Sequence, residues 1–173
     1  MAQPLLIMPS CVMTVIDPLT PFTCTLVCLE SFFTDVGRSE TQCRILLEER
    51  DILIRALPIE NGRPKVETFG AIGVPALVEL AQKLRLKTTP IPITGQLAMD
   101  KEISGMAASS TIFLLGSGAW SGGNGHCVRV GGLIEPGRYE IFDPSFPKAQ
   151  IRSLFYSELE PATSFLLHLE NTP

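Results

Sequence analysis

Apolar and polar positions divide this chain into a first part with helical spacing and a second part built of short strands. In Pro21–Gly37, PFTCTLVCLESFFTDVG, Leu26, Leu29, Phe33 and Val36 recur at helical intervals, and Val27 and Phe32 widen the apolar surface almost all round. The spacing predicts a helix through the core, with Thr23 as an acceptable N-cap and Gly37 at its end. Ser39-Glu40-Thr41-Gln42 has the form of a capping box and opens a second helix to about Glu49 or beyond. DILIRAL (51–57) reads equally well as its continuation or as a strand. Ile59–Gly70 is a loop, with Asn61-Gly62 and Pro64 as turn residues. Val74–Leu86 is a third helix, with Val74, Leu77, Leu80, Ala81 and Leu84 on one face and Pro75 in its first turn. Pro90 and Pro92 keep Lys87–Ile93 extended, and Gln96–Met106 is a short helix.

The second part alternates differently. TIFLL (111–115) is an apolar strand, followed by the glycine-rich stretch GSGAWSGGNG (116–125). HCVRV (126–130), RYEIF (138–142) and SFLLHL (164–169) are further strands. Helices first and strands after predict an α+β fold with an antiparallel sheet. No repeat or linker interrupts it, so residues 1–173 are expected to form one domain: a proline-punctuated lead-in arm over 1–20, a helical half over 21–93 and a sheet half over 110–170.

HCVRV and RYEIF are expected to pair as a hairpin whose loop, Gly132–Gly137, contains a Pro-Gly turn. Setting Gly132 opposite Gly137 places Arg129 opposite Glu140, a favourable cross-strand pair, with Val128 facing Ile141 and Val130 facing Tyr139. The same register puts His126 opposite Asp143, on the face that Val128 and Ile141 mark as inward.

Composition narrows the function. An apolar content of 45% and a charged content of 18% are those of a globular protein. The net charge of -4, without a basic run, argues against nucleic acid or an anionic membrane as partner. No apolar stretch is long enough to span a bilayer, and the N-terminus lacks the positive region of a secretory signal. Five cysteines without a framework spacing suit free thiols in a reducing compartment. The expected location is the cytoplasm, or export by a non-cleaved signal.

One of those thiols stands out. Cys24 falls in the first turn of the core helix, where the macrodipole and free N–H groups favour an anion. A thiol there is either a small buried hydrophobe or a nucleophile. Joined to the His126–Asp143 pair, it supplies the parts of an activated thiol: nucleophile, base and orienting acid. Cys28, one turn further on the same face, is a weaker alternative inside the helix. A zinc site from Cys24, Cys28, His126 and Cys127 is disfavoured, because His126 and Cys127 face opposite ways on a strand. Cys11 and Cys43 are expected in the core, and His168 is expected to face solvent. The glycines of 116–125 lack the context of a phosphate loop and look like a lip beside His126. Thr23, Trp120 and Asn124 are candidates for lining a substrate groove, though Trp120 reads equally as a packing plug.

In order and spacing, Pro21–Pro144 resembles the papain-like fold, and within it the bacteriocin-processing (double-glycine leader) peptidases. Members have a cysteine opening a helix that ends in glycine, as Cys24 to Gly37 does, then two further helices, the second entered as in GAIGVPALVELAQKLRL. A short apolar strand (STIFLLG) comes next, then a histidine heading a strand (HCVRV) and a strand ending in Asp-Pro (YEIFDP). The resemblance implies Cys24 as nucleophile, His126 as general base and acid, and Asp143 as the group orienting His126. It implies no cofactor or metal, and a peptide or protein as substrate. Pro18 stands where the family has a glutamine that serves the oxyanion, and Thr23-Cys24-Thr25 replaces Asp-Cys-Gly. Papain-like bacterial effectors that cleave or deamidate host proteins share the order of the triad. The resemblance thus points to a cysteine hydrolase acting on a peptide bond or a glutamine side chain through a thioester. Its alternatives are a protein-glutamine deamidase effector and a catalytically silent module that binds peptide in the same groove.

Overall fold

A helix that is apolar on nearly every side needs cover on every side, and α1 (Cys24–Val36) has it. All of its first ten residues are buried, with Leu29, Phe32 and Phe33 wholly so. The computed structural model describes residues 13–18, 23–55, 59–61, 63–64, 74–117, 119–121, 125–145, 147–159 and 164–172. Thr23 stands at the N-cap of α1, without a side-chain capping bond, and Gly37 ends the helix at φ +84°. The second helix, α2 (Glu40–Arg55), takes in the first five residues of the ambiguous DILIRAL stretch, 51–55, and the rest of it lies outside the described residues. Its capping box forms: Ser39 N–H donates to Gln42 Oε1 (2.9 Å) and Gln42 N–H to Ser39 Oγ (3.2 Å).

Within the expected 59–70 loop, β1 (Ile59–Glu60) and β2 (Arg63–Pro64) form a minimal hairpin turning at Asn61. The third helix, α3 (Val74–Lys83), buries Leu77, Leu80 and Ala81. Then follow β3 (Leu86–Ile91), α4 (Gln96–Ser104), β4 (Ser110–Gly116), β5 (His126–Glu135), β6 (Arg138–Asp143), β7 (Gln150–Phe155) and β8 (Ser164–Asn171). The last six strands make one antiparallel sheet in the order β3-β8-β4-β5-β6-β7. The helices and strands are therefore not wholly segregated along the chain, since β3 pairs with β8 at one edge of the sheet. The other edge, β7, had no clear sequence signal.

Period-two alternation sends side chains to two separate cores. Phe113, Leu115, Cys127, Phe142, Leu167 and Leu169 pack with α1 and α3 on one face. Ile112, Leu114, Val128, Val130, Ile141 and Leu166 pack with Met99 and Ile103 of α4 on the other. Two polar networks tie elements across these cores. On the α1 side, Arg129 donates to Asp35, Ser31 Oγ (2.9 Å) and Thr111 Oγ1 (3.1 Å), with its guanidinium over the Phe32 ring. Asp35 and Ser31 also hold the arm, through the Thr14 N–H, hydroxyl and carbonyl. On the α4 side, buried Asp100 accepts from Gly137 N–H (3.1 Å) and Tyr139 OH (2.9 Å), fixing the hairpin tip. Burial and that bond push the Tyr139 phenol well above its ordinary pKa.

The β5–β6 hairpin corrects the expected register. The strands run on to Glu135 and Arg138, and the turn is the two residues Pro136-Gly137, with Gly137 at φ +75°. Gly132 is not loop: it pairs with Glu140, and bulges lie between Val130 and Gly132 and between Leu133 and Glu135. A Cβ on Gly131 would collide with the Met13 side chain, so the bulge also seats the arm. Arg129 consequently lies opposite Phe142, not Glu140, and its carboxylate partner is Asp35 on α1.

Two smaller expectations also change. His168 does not face solvent: it is half-buried, opposite Thr89 and Ile112, and lines a cavity of about 240 Å³ with Lys101 and Glu102. Cys43 is half-buried beside a second cavity between α1 and α2, and Cys11 lies outside the described residues.

Candidate active site

Three elements converge at one end of the sheet. Cys24 is the first residue of α1 and is 2% exposed. The N–H groups of such a first turn have no carbonyl partner within the helix, and the dipole there favours negative charge. His126 is the first residue of β5 and Asp143 the last of β6. Continuing the register from Arg129–Phe142 sets Val128 opposite Asp143, so His126 is displaced diagonally by two residues. An offset of two keeps both side chains on one face, and a diagonal pair remains within reach of long side chains. His126 Nε2 lies 2.6 Å from Asp143 Oδ1. The Cys24 thiol is also among the groups that act on the imidazole and raise its pKa. With Nε2 committed to the carboxylate, Nδ1 is the ring nitrogen left for the sulfur.

Electrostatics make this a charged array. Burial works against the His126 cation, but the bond to Asp143, the Cys24 thiol and the negative charges of both raise its pKa to about 9. Burial likewise opposes the Asp143 anion, yet His126, Ser145 and Arg152 hold its pKa down at about 2. Ser145 Oγ donates to Oδ1 (2.6 Å) and Arg152 Nε to Oδ2 (2.6 Å). The imidazolium–carboxylate pair is therefore the stable form across neutral pH.

The other candidates separate from this cluster. Cys28 is fully buried and donates to the Cys127 carbonyl at 3.7 Å. Burial, and after it the neighbouring Cys127 and Cys24 thiols, push its pKa well above the ordinary value, so it stays protonated. Among the described residues, no group of three or more His, Cys, Asp or Glu side chains is placed to hold a metal ion. Trp120 is 6% exposed and belongs to the α4-side core. Its ring centroid is 6.4 Å from that of His126, and its Nε1 donates to Ser164 Oγ (3.2 Å). It walls the imidazole and does not stand open in a groove. Thr23 is buried beside Cys24, and Asn124 lies outside the described residues.

Two residues of the site were missed from sequence. Ser145 had a signal, because a serine two residues after an aspartate commonly closes a local turn onto it. Arg152 had none, since its strand, β7, was not recognised.

The fold is similar to a crystal structure of the peptidase domain of Streptococcus ComA, a bifunctional ABC transporter involved in a quorum-sensing pathway. The match has a TM-score of 0.57 and 16% identity, and covers 92% of this chain and 99% of that one. The α+β, papain-like architecture expected from the order of elements is thus the observed one. No protein-family profile matches the sequence, and no curated protein matches it. Among the described residues no helix is long and apolar enough to cross a membrane.

Proposed function

We propose that this protein is a papain-like cysteine peptidase, with Cys24 as nucleophile, His126 as general base and acid, and Asp143 as the orienting acid. The observation that carries this reading is the convergence of Cys24, at the N-terminus of a buried helix, with the hydrogen-bonded His126–Asp143 pair. The Cys24 thiol gives its proton to His126, which holds it as the imidazolium, and the sulfur attacks the scissile carbonyl. His126 then gives the proton to the leaving nitrogen, and water, activated by the same imidazole, releases the acyl group from sulfur. The Cys24 backbone N–H is one donor to the oxyanion. The ComA domain's description as a peptidase, on the same fold, favours a peptide bond over a glutamine side chain as the target.

A second reading, a silent module that binds peptide, is favoured by Pro18. It is buried and offers no side-chain donor where the resembling family has glutamine. Iodoacetamide alkylation across pH, mapped residue by residue, separates the two. Accessibility alone ranks half-buried Cys43 ahead of Cys24, whereas activation ranks Cys24 first. Fast labelling confined to Cys24 near pH 6, slowed in His126→Ala, is the result expected of the peptidase. Labelling of Cys24 no faster than of Cys43 is the result expected of the silent module.

A further inference from the structure

Resting on the triad reading above for its catalytic consequence, we infer that Arg152 is a positioning residue of this site. It acts as a two-pronged clamp that aims the Asp143 carboxylate at His126 and pins the Trp120 turn against the imidazole. Asp143 ends its strand, with Pro144 next, so the backbone beyond it offers no ladder to steady the side chain. Its Oδ1 already receives both His126 Nε2 and Ser145 Oγ, whereas Oδ2 is held by Arg152 Nε at 2.6 Å. Arg152 pairs across β6–β7 with Ile141, which puts it on the face that carries Asp143 and His126. Its Nη2 donates to the Trp120 carbonyl at 2.9 Å, and the Trp120 ring returns to His126. The contacts therefore close a circuit: His126, Asp143, Arg152, Trp120 and back to His126. Only a planar guanidinium presents two donors fixed relative to each other, one for the carboxylate and one for the carbonyl; a lysine ammonium is a single point.

Among the described residues, the charged or titratable groups facing His126 are Asp143 from β6 and Cys24 from α1, and Asp143 faces His126 and Arg152. Arg152 acts on His126 in two opposed ways. As a cation it disfavours the imidazolium, and as a clamp it favours it by holding Asp143 in place. The sign of the His126 response to removing Arg152 distinguishes the roles.

The test is an NMR titration of the imidazoles in the full chain, for wild type, Arg152→Met and Arg152→Lys, with His168 as internal control. A clamp predicts that the His126 midpoint falls by about one pH unit or more in Arg152→Met. It predicts a smaller fall in Arg152→Lys, which keeps the charge and loses the second prong, while His168 stays put. A midpoint that holds or rises in both variants, with circular dichroism unchanged, overturns the clamp. Should Arg152→Met fail to fold, the lysine variant decides by the same sign. The readout does not depend on turnover. A wild-type Cys24 that alkylates like an ordinary thiol, beside a fallen His126 midpoint, removes the peptidase reading and supports the clamp. A fast Cys24 beside an unmoved His126 does the reverse.

Discussion

Among the described residues, two arginine–aspartate pairs join separate elements of this molecule, and they serve opposite ends. Arg129 reaches from β5 to Asp35 on α1, with its side chain 5% exposed and its remaining bonds on Ser31 and Thr111. The partners there are one carboxylate and two hydroxyls, and the assembly staples sheet, helix and arm. Arg152 reaches from β7 to Asp143 on β6, with its side chain 28% exposed. Its aspartate has a third partner, His126, whose charge can change, and beyond it a thiol. Comparable ion pairs thus become structure in one place and candidate chemistry in the other. What separates them is a titratable neighbour and a position at the rim of the sheet.

The largest expected effect breaks the comparison at its reactive end. Cys24→Ala should abolish hydrolysis of any peptide substrate found by library screening while leaving circular dichroism unchanged. Retained hydrolysis there would move the nucleophile elsewhere. His126→Ala should lower hydrolysis by about 10²–10⁴-fold, with Asp143→Ala milder because it does not touch the sulfur. Alkylation of Cys24 near pH 6 should slow in the same order.

At the other pair the expected effect is on stability. Arg129→Met leaves Asp35 without its guanidinium partner and should cost about 3–5 kcal/mol by denaturant unfolding. Reactivity of Cys24 per folded molecule should survive. If Arg129→Met silences Cys24 in folded protein, the two networks are not separate in function.

A smaller effect sharpens the contrast through pH. The His126 pKa rises on folding from 6.5 to about 9, so its contribution is complete below 6.5 and is lost as pH rises through 9. The Asp143 pKa falls from 3.8 to about 2, so its contribution is complete above 3.8 and is lost as pH falls towards 2. Wild type should therefore exceed His126→Ala in Tm most clearly between about pH 4 and 6.5, with the gap closing above about 9. Arg129→Met should lower Tm evenly across neutral and alkaline pH, since a guanidinium keeps its proton. The smallest effect lies away from both pairs: Ser39→Ala should cost about 1 kcal/mol through the lost cap of α2.

Much of this was legible in the sequence, for local reasons. The α1 helix and the Ser39–Gln42 box rest on spacing and on side chains three or four residues apart, and both formed. The meeting of His126 and Asp143 was legible through a register that proved wrong, because the displacement was even and left both on the same face. The failures are non-local. Gly132 reads as a turn residue because nothing nearby reveals the bulge at Gly131, seated against Met13. Arg129 was assigned to the cross-strand Glu140 when its partner lies 94 residues away on α1. Arg152 belongs to β7, an edge strand with exposed Ile151 and Phe155, where neither face gives the clean alternation that marks a half-buried strand.

The paired bulges of β5 bear on how the chain tolerates changes in length. At each bulge two residues occupy one step of the pleat, so Val130 and Leu133 share a face although three positions apart. Deleting Gly131 restores plain alternation, with Gly132 taking the step and Leu133 still facing α4. Deleting Ile134 leaves Leu133 and Glu135 as neighbours in the same way. Both lie between the hairpin tip and His126. The strand can lose a residue at either point without turning over a side chain on the active-site side, so the tip can vary in length while His126 and Asp143 keep their places.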